Sequence, residues 1–168
     1  ERAYITSEMA KQFFVPYGYV PDQSAAANFG YSYNDIYTMY YAKGSDRTAY
    51  CMDISSGVLK EGQVVQLWKS NDTDAQIFRV RAAENGYSFI TPLKDSTLHV
   101  NAYGYTGGNP ELTTLKLSVA ANVNSQWKVD IGSDGITTFW SAIAPNEQVI
   151  DLNNGSMSDG GVLQLYKS

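Results

Sequence analysis

From residue 34 onward apolar and polar residues alternate in short runs, and the runs return in the same order. "NDIYTMYY" (34–41), "NGYSFITP" (85–92) and "DGITTFWS" (134–141) each place a turn pair before a β-rich segment. The pairs are Asn34-Asp35, Asn85-Gly86 and Asp134-Gly135, residue types that accept the positive φ of a tight hairpin. Next come "YCMDIS" (50–55), "TLHVNA" (97–102) and "VIDLNN" (149–154), short apolar strands that each carry a polar residue. "VVQLWKS" (64–70), "TLKLSVA" (114–120) and "VLQLYKS" (162–168) follow. Last, "AQIFRV" (75–80) and "SQWKV" (125–129) put Phe78 and Trp127 two residues before a valine, and eight residues before Gly86 and Gly135.

The repeat is about 50 residues long and holds four short strands, with almost no helical periodicity. A four-stranded unit of this size cannot bury its own apolar face. Three of them closed around a threefold axis share one core and leave no long exposed edge. The pattern therefore predicts an all-β fold, a β-trefoil over residues 25–168 with repeats near 34–80, 85–129 and 134–168, preceded by an arm over 1–24.

The third repeat stops after its third strand, which predicts a circular permutation with the closing strand supplied by the N-terminal arm. Two segments qualify. "AANFGYSYND" (26–35) offers Phe29 and Tyr31 at the spacing of Phe78 and Val80, and is preferred for that reason, which puts the closing strand near 26–31. "AKQFFV" (10–15) offers the better Gln-x-aromatic match at Gln12 and Phe14, but lies further from the Asn34-Asp35 turn. A shortened chain, or a strand from another chain, are the alternatives. Within the arm, "TSEMAKQFF" reads as a short helix start with Thr6 or Ser7 as N-cap. The prolines of "VPYGYVPDQ" then end it. The arm is also Tyr-rich, and its rings serve either to pack it onto the trefoil or to present an aromatic surface.

Composition narrows the function. Charged residues are 17%, aromatics 13%, and the formal charge is −5 with Lys and Arg scattered along the chain. Nucleic acid and anionic membranes demand a concentrated basic face, so both are poor partners. No apolar run approaches the ~20 residues of a membrane helix. The single Cys51 forms no internal disulfide and no thiolate metal cluster. Asp-rich turns such as "SNDTD" (70–74) are ordinary turn chemistry, and no metal or cofactor is expected.

Residues 51–78, "CMDISSGVLKEGQVVQLWKSNDTDAQIF", resemble a repeat of the ricin-type β-trefoil lectins, also classed as carbohydrate-binding module family 13. The carriers are Met52-Asp53-Ile54, Gln66-Leu67-Trp68 and the closing Gln76-Ile77-Phe78, the family's Gln-x-Trp. The likeness extends over roughly residues 34–168, weaker in the second and third repeats. It implies galactose- or xylose-type sugars bound through an Asp, a stacking aromatic and nearby amides, and the low charge with Tyr, Asn, Gly, Ser and Thr richness resembles that of secreted bacterial modules. Carried over by position, the first repeat has Asp53, Gln66, Trp68 and Gln76, with Ala75 where the family often has Asn. Asn71 or Asp74 would compensate. The third has Asp151, Gln164 and Tyr166, and its amide depends on which arm segment closes the barrel. The second has His99, Lys116 and Ser118 in the three places and is expected to be inactive. Tyr103 and Tyr105, in a Gly-rich loop, offer a different surface. The plain alternative is that Asp53 caps a turn and Trp68 fills core.

A glycosidase needs two carboxylates about 5–10 Å apart, and Asp53 and Asp151 belong to different lobes. Cys51 and His99 both fall on barrel strands, so a Cys–His dyad is not expected. The sequence therefore points to a non-catalytic sugar binder, alone or linked to a catalytic or toxin subunit. A trefoil serving as a protein-interaction or accessory subunit, with the Tyr-rich arm as its docking surface, stays open.

Overall fold

The structure is a computed structural model, and it describes residues 3–6, 12–14, 36–42, 50–83, 85–133 and 137–168. Among the described residues there are strands and short 3-10 turns and no α-helix. The arm contributes β1 (Ala3–Thr6) and β2 (Gln12–Phe14). The first unit holds β3 (Ile36–Thr38), β4 (Tyr41–Ala42), β5 (Tyr50–Ile54), β6 (Val65–Lys69) and β7 (Phe78–Ala82). The second holds β8 (Ser88–Pro92), β9 (His99–Ala102), β10 (Leu115–Ser118) and β11 (Trp127–Ile131). The third holds β12 (Thr137–Ser141), β13 (Gln148–Leu152) and β14 (Gly161–Lys167).

Pseudo-threefold symmetry is written into the backbone hydrogen bonds. Each unit folds its middle strands into an antiparallel hairpin, β5–β6, β9–β10 and β13–β14. At the tips the hairpins bond to one another in a ring. Gly62 donates to the Leu117 carbonyl at 2.8 Å, Leu112 to Leu165 at 2.8 Å and Gly160 to Leu67 at 2.9 Å. All three donors sit in the left-handed region, with φ of 81°, 71° and 82°. Two are glycines, which pay no Cβ penalty there, and the third is the exposed Leu112.

The core collects the inward positions of these strands. Met52, Ile54, Leu67, Val100, Leu117, Ile150 and Leu165 are completely buried, together with the closing aromatics Phe78 and Trp127. Trp127 also donates its indole N–H to the Val100 carbonyl at 3.0 Å, so the large ring is packed and satisfied at once. Tyr40 meets Phe139 edge-on, with centroids 5.0 Å apart. Cys51 is buried beside Met39 and Tyr41, as a small hydrophobe.

The permutation is visible in the register. Phe78 lies opposite Pro92 and Trp127 opposite Ser141, each closing strand pairing with the first strand of the following unit. In the arm, Ile5 lies opposite Ala42, the matching position on β4, while Ala3 and Tyr4 pair with Leu152 and Asp151 on β13. β1 thus fills the closing-strand position of the third unit. β2 continues it along β3, with Gln12 opposite Thr38 and Phe14 opposite Ile36. The segment expected to do this, near 26–31 with Phe29 and Tyr31, lies outside the described residues. Gln12 and Phe14 are in the closing strand but not at the place of the Gln-x-aromatic motif; the register assigns that place to Ala3 and Ile5. Of the expected helix start, Thr6 ends β1 and Gln12–Phe14 is β2, because cross-strand pairing outweighs weak local propensity. Ser7 and the residues up to 11 lie outside the described residues.

Candidate functional site

The β5–β6 hairpin sets Asp53 opposite Gln66 and Cys51 opposite Trp68. Alternation along β6 turns Val65 and Leu67 into the core and leaves Gln66 and Trp68 on the outer face, where Trp68 is 37% exposed. The 3-10 turn Asp74–Gln76 then folds over the hairpin and brings the buried Gln76 behind Asp53. Gln76 is locked in place: its Nε2 donates to the Lys69 carbonyl at 3.0 Å, and its Oε1 accepts from the Asn71 amide at 3.0 Å. Opposite stands the turn Ser55–Gly57, with Ser56 at φ 56° and Gly57 at φ 65°. Between these walls runs a groove of about 500 Å³ lined by Asp53, Gln66, Trp68, Asn71, Asp74 and Ala75 among others.

Burial pushes the Asp53 carboxyl up to about 6 from its ordinary 3.8. A hydrogen bond from Gln76 opposes this, the negative charge of Asp159 adds to it, and Gln66 opposes it again through a hydrogen bond. Asp159 comes from the third unit, just before β14, and its Oδ1 accepts the Lys69 amide at 2.9 Å. No motif in the first repeat signals this residue, because it belongs to the third unit and acts on Asp53 only through its charge. Its partner device in the next unit is Glu61, which accepts the Val119 amide at 2.8 Å. Ala75, in the place of the family's Asn, packs toward Gly57, where an added Cβ would lie 3.7 Å from the Ala75 methyl. Of the two residues expected to compensate, Asn71 already accepts from the Thr73 amide and hydroxyl through Oδ1, and Asp74 pairs with Lys94 at 3.5 Å. Both still line the groove.

The third unit repeats part of the set. Asp151 lies opposite Gln164 and Val149 opposite Tyr166. Here Gln164 Nε2 donates to Asp151 Oδ2 at 3.3 Å, and Asp151 is wholly buried, whereas Tyr166 is half-buried. The structure thus brings the three expected residues together, with the carboxylate covered.

In the second unit the register corrects one assignment. Asn101, not His99, lies opposite Lys116 and so stands where Asp53 and Asp151 stand. His99 is two residues earlier, opposite Ser118. Asn101 Nδ2 donates to Ser125 Oγ at 2.7 Å, and Ser125 passes the bond on to the Ala120 carbonyl at 2.6 Å. The position is an internal polar network with no carboxylate. His99 is buried and stacks on Phe89 at 4.5 Å, with the Arg81 guanidinium 5.3 Å over the same ring. Burial, reinforced by Arg81, holds His99 down to about 4, against a smaller pull from Asp95.

Strand order, hairpin triad and closing aromatics define the protein as a β-trefoil. Solved structures with the same fold are known. The designed threefold-symmetric protein ThreeFoil is 18% identical, covering 72% of this chain and 84% of that one, with a TM-score of 0.63. The Rhizoctonia solani agglutinin is 20% identical over 72% of this chain and 80% of its own, with a TM-score of 0.59. A mosquitocidal holotoxin is 17% identical over 73% of this chain, with a TM-score of 0.63, and the chain spans 14% of the toxin's length. At these identities the likeness is one of fold. No family model matches the chain, and no curated protein matches it.

Proposed function

We propose that this protein is a non-catalytic carbohydrate-binding module that holds a sugar in the first-unit groove. The observation that carries the reading is the convergence of Asp53, Gln66 and Trp68 on one groove of about 500 Å³. Gln76 holds Asp53 from behind, so the carboxylate is presented in a fixed position. A carboxylate there accepts hydrogen bonds from two neighbouring sugar hydroxyls, charge-assisted and stronger than neutral ones. Trp68 covers the apolar C–H face of the pyranose, and the Gln66 amide orients it. The third-unit set of Asp151, Gln164 and Tyr166 is the weaker site, because its carboxylate is covered and already engaged by Gln164.

A shallow groove of this kind fits dissociation constants from millimolar to micromolar, roughly −4 to −8 kcal/mol. The resemblance to ricin-type lectins favours galactose- or xylose-type ligands and linkage to a catalytic or toxin part, and the low charge and polar, Tyr-rich composition favour a secreted module. Agglutinin and toxin chains of the same fold support that context. Calorimetric titration with lactose and xylotriose tests the reading: wild type binds one of them and Trp68→Ala loses most of the affinity while remaining folded. Equal behaviour of the two proteins toward both sugars would overturn it.

A further inference from the structure

The β9–β10 connection departs from its two counterparts. Twelve residues (103–114) separate Ala102 from its partner Leu115, against ten (55–64 and 153–162) between Ile54 and Val65 and between Leu152 and Leu163. The longer loop, "YGYTGGNPELTT", encloses a groove of its own of about 400 Å³, lined by Tyr103, Tyr105, Thr106, Asn109, Leu112 and Thr113 with Gly104 and Gly107. It shares no lining residue with the first-unit groove.

Three features make this more than a surface turn. The aromatic walls are fixed before any ligand arrives. Tyr105 Oη donates to the Gly108 carbonyl at 2.8 Å, its own carbonyl accepts from Asn124 Nδ2 at 2.9 Å, and the Tyr103 phenol bonds to Glu61. Asn124 also donates to the Ala102 carbonyl at 3.2 Å, tying the loop base to the next turn. Walls ordered in advance spare a ligand the entropy of fixing them. Second, Gly104, Gly107 and Gly108 have φ of 83°, 146° and 82°, and a Cβ on any of them would point into open space. Third, no charged side chain lines the groove. Two phenols, three threonine hydroxyls (Thr106, Thr113 and Thr114) and an amide suit a neutral polyhydroxylated ring, and give an anion or a metal ion no counter-charge.

We propose that this loop groove is a second sugar-binding site, specific for neutral saccharides. It stands in the one unit whose strand-borne position has no carboxylate and no stacking aromatic, and it gives that unit a site of its own. The inference rests on the reading of the protein as a carbohydrate binder.

The test is a two-dimensional amide NMR titration with lactose and xylotriose on wild type, Tyr105→Ala, Tyr105→Phe and Thr106→Ala. The Gly104, Gly107 and Gly108 amides should move saturably with one of the sugars. Tyr105→Ala should weaken that site about tenfold, the scale of one lost stacking contact. Tyr105→Phe keeps the ring but loses the Oη bond to the Gly108 carbonyl, so it and the exposed Thr106→Ala should each weaken binding by a smaller factor than Tyr105→Ala. The Trp68 indole response should be unchanged in all three. The loop site should also bind equally across mildly acidic and neutral pH, whereas the Trp68 groove weakens as Asp53 takes its proton. Shifts confined to Trp68, Ser56 and Gly57 would overturn this inference and leave the first groove standing. The absence of shifts with either sugar would overturn both.

Discussion

Two buried groups, Asp53 and His99, are held from their ordinary values in opposite directions, and this yields a prediction with two independent arms. Asp53 moves from 3.8 to about 6, and His99 from 6.5 to about 4. Folding therefore favours the proton on Asp53 and disfavours it on His99. The Asp53 contribution is fully present below pH ~4 and is lost as pH rises to about 6. The His99 contribution is complete above pH ~6.5 and is lost as pH falls toward 4. Each span exceeds two pH units, so at about 1.4 kcal/mol per unit each is worth up to about 3 kcal/mol. In wild type the two slopes largely cancel, and single substitutions uncouple them. Urea unfolding between about pH 4 and pH 7 provides the measure. The stability of Asp53→Asn relative to wild type should rise with pH across 4 to 6, by up to about 3 kcal/mol. That of His99→Gln relative to wild type should rise as pH falls from about 6.5 to 4, by a similar amount. A flat difference in either series, or a slope of the opposite sign, would refute the assigned environments.

Other predictions follow from packing. Gly161 pairs with Leu67 where β14 joins β6, and a Cβ there would meet Ser156 O at 3.0 Å, Leu152 Cδ1 at 3.1 Å and Leu67 Cβ at 3.1 Å. Gly161→Ala should cost about 1–3 kcal/mol in a denaturant midpoint measurement. Trp127→Ala removes a fully buried ring and its bond to Val100, and should cost about 3–5 kcal/mol by the same assay. Trp68→Ala should lower the thermal midpoint less than Trp127→Ala does, since Trp68 is 37% exposed, and should act mainly on sugar titration.

The three repeats were legible because turn pairs, alternation and closing aromatics are local signals. The closing strand was not, for a physical reason. Its place is assigned by pairing with β4 and β13, and the residue opposite Ala42 is Ile5, which carries no aromatic signature. Spacing from the turn favours Phe29 and Tyr31, and the Gln-x-aromatic pattern favours Gln12 and Phe14, so neither local signal points to Ala3 and Ile5. The misplacement of His99 has a similar origin. His99 and Asn101 are two residues apart on one strand and so share a face, and only the ladder with β10 decides which one stands opposite Lys116. Asp53, Gln66 and Trp68 were readable within one hairpin, whereas Asp159 enters from another unit. The loop groove has no local sequence mark, because its two extra residues appear only once the partners Ala102 and Leu115 are fixed.

The central claim is that the Asp53 carboxylate and the Trp68 ring together hold a sugar. It is tested most directly by titrating wild type, Asp53→Ala and Asp151→Ala against one glycan panel at neutral pH. Asp53→Ala should lose most of the affinity for the ligand that wild type binds, while Asp151→Ala, whose carboxylate is covered, should keep most of it. Identical binding by wild type and Asp53→Ala across the panel would contradict it.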